Sequence, residues 1–202
     1  GMTIAQKELD RPLSLTREDD KSFDQKTALT AFTKLTQADK SDIILNVAVT
    51  TAKALAPIAE RTEKPVLILW DSNNELVHLN TWVSTMGFSI EAAGEDLAVF
   101  AYAKLGFRKI AIVSAQEEWS TIISNAFAAK FTALGGTIVL HERTPLDQED
   151  FRTNVAKAKA AGAETIYLPL FSQGTNILVR QARELGYQGP LLAGDVFSQA
   201  NI

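Results

Sequence analysis

The sequence predicts an α/β chain built on parallel β-sheets, and three observations lead to this fold class. Short apolar runs rich in β-branched residues alternate with longer segments whose apolar residues recur every three or four positions. Residues 43–45 and 66–69 are continuously apolar, which is typical of strands buried on both faces of a parallel sheet. Four of the longer segments end at a glycine, the residue that adopts a left-handed helix cap without strain. These glycines are Gly106, Gly135, Gly162 and Gly186.

Strands and helices are expected to follow one another as strand–helix–strand units. Seven strands are predicted, at residues 13–17, 42–49, 65–70, 109–113, 137–142, 165–170 and 190–194. The intervening helical stripes run through Ala28, Phe32 and Leu35, then Leu97, Phe100, Ala101 and Leu105, then Ile123, Phe127, Phe131 and Leu134, then Phe151, Val155 and Ala158, and last Leu178, Ala182 and Leu185. The helix after residues 42–49 is expected to carry Pro57 near its first turn, where a missing N–H is tolerated.

Residues 71–89 interrupt this alternation with a polar, turn-rich stretch that shows no clear helix. The next helix is predicted to begin at Ser89 as its N-cap, with Glu91 in its first turn. We interpret the interruption as the passage between two lobes, a first lobe of three strands at residues 1–86 and a second of four strands at 87–202. One seven-stranded sheet is the alternative.

Composition and charge limit the partners and the chemistry that we expect for this chain. The formal net charge is −4 and no basic stripe is present, so nucleic acid is not expected as a partner. The apolar runs are too short to span a bilayer, and the absence of cysteine excludes disulfides. The chain opens Gly1–Met2 without a secretory signal, which we interpret as a fragment or a cleaved tag. No compartment is therefore excluded.

Sequence markers of an enzyme are absent. No G-x-G-x-x-G, G-x-x-x-x-G-K-[ST] or G-x-S-x-G occurs, so nucleotide binding and hydrolase chemistry lose their usual signals. His78 and His141 are far apart, and structural or surface roles are expected for both, with His141 at the end of a strand. The acidic runs at residues 18–20 and 148–150 are expected to be solvated. No metal site and no cofactor are predicted.

Several segments together resemble one protein family. Residues 15–20 and 24–28 resemble the second strand and helix of type I periplasmic binding proteins of the leucine/isoleucine/valine-binding kind, although Phe23-Asp24-Gln25 departs from that family's Asp–Pro. Later matches lie at residues 109–113, 150–152, 163–167 and 179–186. The resemblance spans nearly all of the chain, whereas the family's first strand and final third are missing, so both ends look truncated.

The resemblance implies two Rossmann-like lobes that close by a hinge over a small ligand, and it implies no catalysis. An amino acid is the expected ligand, an ABC transporter permease the expected partner, and the periplasm or another extracytoplasmic space the expected location. Two alternatives remain open. The chain could be the ligand-sensing domain of a receptor or regulator, or a small α/β enzyme.

Candidate ligand residues lie in the loops after the strands, because ligands of open parallel sheets bind outside the carboxyl ends of the strands. Thr50 and Thr51 begin a helix, where hydroxyls and free N–H groups suit a carboxylate. The resemblance implies further roles in a second loop, in aromatic cover of the ligand and in binding its ammonium group. It assigns these roles to Ser72 and Asn73, to Trp119 and Phe171, and to Asp195 respectively.

Overall fold

Two parallel sheets, of three and of four strands, organise the chain. The structure is a computed structural model that describes residues 14–21, 24–47 and 49–194. The chain divides into two compact units, Gly1–Gly87 and Phe88–Ile202. The predicted α/β class with separate parallel sheets is thereby confirmed, and the alternative of one seven-stranded sheet is wrong.

Among its described residues, the first unit contains two α-helices and a three-stranded sheet. Its elements are α1 (Gln25–Thr33), a π-helical turn (Lys34–Ala38), β1 (Ile44–Asn46), α2 (Val49–Thr62), β2 (Val66–Ile68), β3 (Asp71–Ser72), a 3-10 turn (Leu76–His78) and β4 (Val83–Thr85). Its three-stranded sheet has the order β1-β2-β4, and all its pairs are parallel. Asp24 fixes the start of α1, since its carboxylate accepts the Thr27 N–H at 2.7 Å.

Only one face of this sheet is buried. Ile44 is 5% exposed, whereas Leu45, the next residue of β1, is 41% exposed. Ile43 and Leu69 are exposed as well. The prediction that these apolar runs are buried on both faces is therefore wrong. An apolar run favours a strand, but each face is buried only where another layer packs on it.

Three further predictions in this unit fail. Residues 14–17 form no strand, and Leu13 lies outside the described residues. The predicted passage between lobes includes Val83–Thr85, but these residues form the third strand of the sheet. The reason is that β2 is buried and its backbone needs a hydrogen-bonded neighbour on each side. Pro57 lies inside α2 rather than in its first turn, since the helix begins at Val49.

The second unit contains a four-stranded sheet of order β7-β6-β8-β9. Its elements are β5 (Phe88–Ser89), α3 (Ile90–Val99), a π-helical turn (Phe100–Lys104), β6 (Lys109–Ala115), α4 (Glu118–Ala133), β7 (Thr137–Thr144), α5 (Arg152–Ala160), β8 (Thr165–Leu168), α6 (Ser172–Glu184) and β9 (Leu191–Ala193). As predicted, Ser89 caps α3 by accepting the Ala92 N–H, and Glu91 lies in the first turn. The four helix-ending glycines all adopt positive φ angles, as predicted.

Both faces of this second sheet are buried. On one face, Ile110 and Ile112 of β6 pack with Phe127 and Phe131 of α4. On the other face, Ala111, Val113 and Ala115 pack with residues of α5 and α6. Alternate residues of one strand therefore serve two separate apolar clusters.

Candidate functional site

The carboxyl end of β1 is joined to the start of α2 by a buried side-chain pair. The Thr51 hydroxyl lies 2.9 Å from Nδ2 and 3.1 Å from Oδ1 of Asn46. Asn46 Oδ1 also accepts the Val47 N–H at 2.9 Å. Thr51 is completely buried. Its hydrogen bonds to Asn46 therefore fix the turn between the strand and the helix.

Thr50 differs from its neighbour in exposure. It lies in the first turn of α2 and is half-buried, and its carbonyl oxygen accepts a hydrogen bond from Gln25 Nε2 at 3.4 Å. The positive end of the helix dipole lies at this turn and attracts negative charge. A small anion is therefore the ligand group that this turn favours.

The other two candidates of the first unit are Ser72, the last residue of β3, and Asn73, the first residue of the loop that follows it. Ser72 and Asn73 are 4% and 2% exposed. Asn73 Oδ1 accepts the Leu76 N–H at 2.8 Å, which fixes the start of the 3-10 turn. Lys53 of α2 forms an ion pair with Glu75 at 2.6 Å, so this loop is held against the helix that carries Thr50. Asn73, like Thr51, shapes the site through buried hydrogen bonds.

In the second unit the structure brings Trp119 and Phe171 into contact. Trp119 is the second residue of α4, which follows β6, and Phe171 is the N-cap of α6, which follows β8. Their ring centroids are 5.5 Å apart with an interplanar angle of 30°. Because β6 and β8 are neighbours in the sheet, the two half-buried rings form one aromatic surface at its carboxyl edge.

A carboxylate already occupies the start of α4. Glu117 accepts the Trp119 N–H at 3.0 Å and also the Ser120 N–H, so the positive end of this helix is neutralised by the chain itself. In contrast, Phe171 provides no side-chain cap for α6. The candidate residues selected from the sequence did not include Glu117. An acidic residue directly before a predicted helix is the signal for such a cap.

The remaining candidates are the two histidines and Asp195. His141 lies within β7 rather than at its end, so the expected position is wrong. Its ring is half-buried with Nε2 3.5 Å from Ser114 Oγ, and burial followed by the charge of Arg143 lowers its pKa. His78 is exposed on the 3-10 turn, and Asp195 lies outside the described residues. Within residues 14–21, 24–47 and 49–194, no group of three or more metal-binding side chains occurs.

The model of the Periplasmic binding protein family matches residues 4–200 of this chain. The chain belongs to this family. The resemblance to its leucine/isoleucine/valine-binding branch is confirmed by sequence relatives. A Leu/Ile/Val-binding protein homolog 6 from Brucella suis is 27% identical over 126 residues, which are 62% of this chain and 32% of that protein. An amino acid binding protein from Pseudomonas aeruginosa is 30% identical over 88 residues, 44% of this chain and 24% of that protein.

Solved structures of other periplasmic binding proteins have the same fold. The leucine-binding protein LivK from Thermotoga maritima superimposes with a TM-score of 0.83 at 30% identity, covering 96% of this chain and 57% of that one. A solute-binding protein of an ABC transporter from R. palustris, in complex with 4-hydroxybenzoate, gives 0.82 at 23% identity, covering 90% and 51%. This periplasmic binding protein chain thus spans about half the length of both structures. Among its described residues, no helix has the length and apolar character needed to cross a bilayer.

Proposed function

We propose that this chain forms part of an extracytoplasmic solute-binding protein that captures an amino acid or a similar small carboxylate for an ABC transporter permease. The contact between Trp119 and Phe171 is the observation that carries this proposal. Two half-buried rings at the carboxyl edge of a parallel sheet offer a small molecule an apolar surface at the place where such sheets bind ligands. We propose no catalytic step.

We assign the recognition of the ligand carboxylate to the first turn of α2. Thr50 is half-buried there, and the helix dipole favours an anion. Thr51 and Asn73 use their side chains in buried hydrogen bonds, so we assign them the role of holding the turn and the loop in place. Ser72 is buried at the end of β3, directly before this loop, and is retained as a candidate contact.

The amine of an amino acid needs a negative partner, because an unpaired buried charge is costly. Asp195 is the residue that we propose for this role. An Asp195→Asn variant is expected to lose affinity for leucine while it keeps affinity for 4-methylpentanoate, which lacks the amine. Equal losses for both ligands would contradict this assignment.

The aromatic surface is tested by isothermal titration calorimetry of the full-length protein with leucine and with 4-hydroxybenzoate. Trp119→Ala is expected to weaken binding of whichever ligand is bound by at least about tenfold, since aromatic contacts dominate small binding sites. Trp82→Ala is the matched control, because Trp82 is half-buried like Trp119 but directly precedes β4, at the amino end of that strand. The proposal fails if neither ligand binds, or if both variants bind as the unmodified protein does.

An aromatic carboxylate is the second candidate ligand. The paired rings of Trp119 and Phe171 favour a planar ligand, and a structural neighbour is in complex with 4-hydroxybenzoate. In the same titrations, binding of 4-hydroxybenzoate without binding of leucine would select this candidate. Binding of leucine alone would select the amino acid.

A further inference from the structure

A completely buried hydroxyl at the start of α4 has no hydrogen-bond partner among the described residues. It belongs to Ser120. The backbone N–H of Ser120 donates to Glu117, so only the side-chain hydroxyl lacks a partner. An unpaired buried hydroxyl lowers a folding equilibrium constant by roughly 5- to 150-fold, and buried polar groups therefore almost always have a partner.

The first unit shows how a hydroxyl at the corresponding position is satisfied. Thr51 is the third residue of α2, and Ser120 is the third residue of α4. Both residues are completely buried. The Thr51 hydroxyl pairs with the amide of Asn46, the last residue of the preceding strand. In the second unit, the last residue of the preceding strand, β6, is Ala115, whose side chain has no polar group.

Two further serines close to Ser120 in the sequence are also completely buried, one on β6 and one on α4. Ile110 and Ile112 of β6 pack against α4, so Ser114, two residues further along the strand, lies on the same face. Ser124 lies one helical turn after Ser120 on the buried side of α4. We call Ser114, Ser120 and Ser124 the serine cluster, and all three residues are completely buried.

The other two hydroxyls of the serine cluster already donate their protons. Ser114 Oγ donates to the Glu142 carbonyl oxygen at 3.3 Å, and Ser124 Oγ donates to the Thr121 carbonyl oxygen at 3.2 Å. A hydroxyl that donates one proton still has lone pairs that accept. The serine cluster therefore offers acceptors, together with one uncommitted donor on Ser120.

We propose that Ser120 binds one internal water molecule within the serine cluster. Water donates two hydrogen bonds and accepts others, and buried water molecules typically bind about three polar groups that lack partners. The three serines carry no charge, and the group next to Ser114 Oγ is the half-buried ring of His141, at 3.5 Å. A neutral molecule therefore fits the serine cluster better than an ion. This water links the first turn of α4 to the sheet and thereby holds the turn that carries Trp119.

Oxygen-17 magnetic relaxation dispersion of the full chain tests this inference, because it counts water molecules that stay bound for longer than bulk exchange allows. Ser120→Ala is expected to lose one long-lived water. Thr175→Val is the matched control, since Thr175 is equally buried but its hydroxyl donates to the Leu170 carbonyl oxygen at 3.1 Å. An unchanged count in Ser120→Ala would overturn the proposal.

Equilibrium unfolding gives a second test, because the sign of the change in stability differs between a hydroxyl that binds water and one that is unpaired. If water satisfies the hydroxyl, Ser120→Ala lowers the folding equilibrium constant by roughly three- to tenfold, the net worth of one hydrogen bond. If the hydroxyl is unpaired, the same variant raises that constant. A more stable Ser120→Ala variant would therefore also overturn the proposal, as would a crystal structure without water next to Ser120 Oγ.

Discussion

The two sheets of this chain differ in how many of their faces are covered, although their strands have similar apolar sequences. Leu45 in β1 is 41% exposed, whereas Leu168 in β8 is completely buried. In the second unit, α4 covers one face of β6 while α5 and α6 cover the other. In the first unit, β1 buries Ile44 and Asn46 and exposes the residue between them. The difference shows that an apolar run indicates a strand but leaves open the number of layers that pack on it.

The largest expected effect comes from truncating the same side chain in each sheet. Leu168→Ala is expected to lower the free energy of unfolding by about 2–5 kcal/mol, because it leaves a cavity in a core that cannot collapse fully. Leu45→Ala is its matched control and is expected to cost less than about 1 kcal/mol, since its side chain is partly hydrated already. Urea denaturation followed by circular dichroism measures both. Equal losses would show that the exposed face of β1 is covered in solution.

The Asn46–Thr51 pair gives the next largest effect. Thr51→Val keeps the shape of the side chain but leaves the buried Asn46 amide without the hydroxyl, at an expected cost of about 1–3 kcal/mol. Thr50→Val, one residue earlier and only half-buried, is expected to change the free energy of unfolding by less than about 0.5 kcal/mol. Chemical denaturation of both variants checks this. A larger loss for Thr50→Val would assign the structural role to the wrong threonine.

The fold class was predictable because periodicity reports local structure. The glycine caps and the Ser89 cap depend on neighbours in sequence, and they agree with the structure. The predicted apolar stripes agree only in part, because Phe100, Leu105 and Leu185 are exposed. The strand at Val83–Thr85 was not predictable in the same way, because its pairing with β2 is a long-range contact that leaves no periodic signal in three residues. The exposure of Leu45 in the first sheet was not predictable from the sequence for the same reason.

For the candidate site, the sequence predicted where the ligand residues lie better than it predicted what each of them does. The rule that ligands bind after strands selected Trp119 and Phe171, which the structure brings together. The same rule could not separate Thr50 from Thr51, because only the structure shows the partner of Thr51 in Asn46. The cap provided by Glu117 and the buried hydroxyl of Ser120 also depend on three-dimensional contacts.

Two helical glycines of the second unit are expected to respond to alanine with opposite signs. A methyl group at Gly94 of α3 would lie 2.6 Å from the carbonyl oxygen of Ile123 in α4. The two helices therefore pack closely at this position. Gly94→Ala is expected to cost about 1–3 kcal/mol through overpacking. At Gly174 the nearest atom, in the Phe151 ring, would be 3.6 Å away, so Gly174→Ala is expected to gain about 0.5–1 kcal/mol from helix propensity. Melting curves of the two variants check the signs, and a stabilised Gly94→Ala would show that α3 can move away at little cost.

The smallest expected effect concerns the two histidines, one in each unit. Burial, and then the charge of Arg143, lower the pKa of His141 in the folded protein below its usual value of about 6.5. The unfolded chain therefore binds a proton on His141 at a higher pH than the folded chain does. As the pH falls below about 6.5, the free energy of unfolding is expected to decrease, until the lower pKa of the folded state is reached.

His141→Gln removes this titration and is expected to flatten the dependence of the free energy of unfolding on pH between about 7.5 and 5. His78→Gln is the matched control, because His78 is exposed on the 3-10 turn of the first unit. Urea denaturation at each pH provides the measurement. If the free energy of unfolding of His141→Gln depends on pH as strongly as that of the unmodified protein, the second unit does not disfavour the charged His141 ring. That result would mean that β7 is packed less tightly against α4 than its contacts indicate.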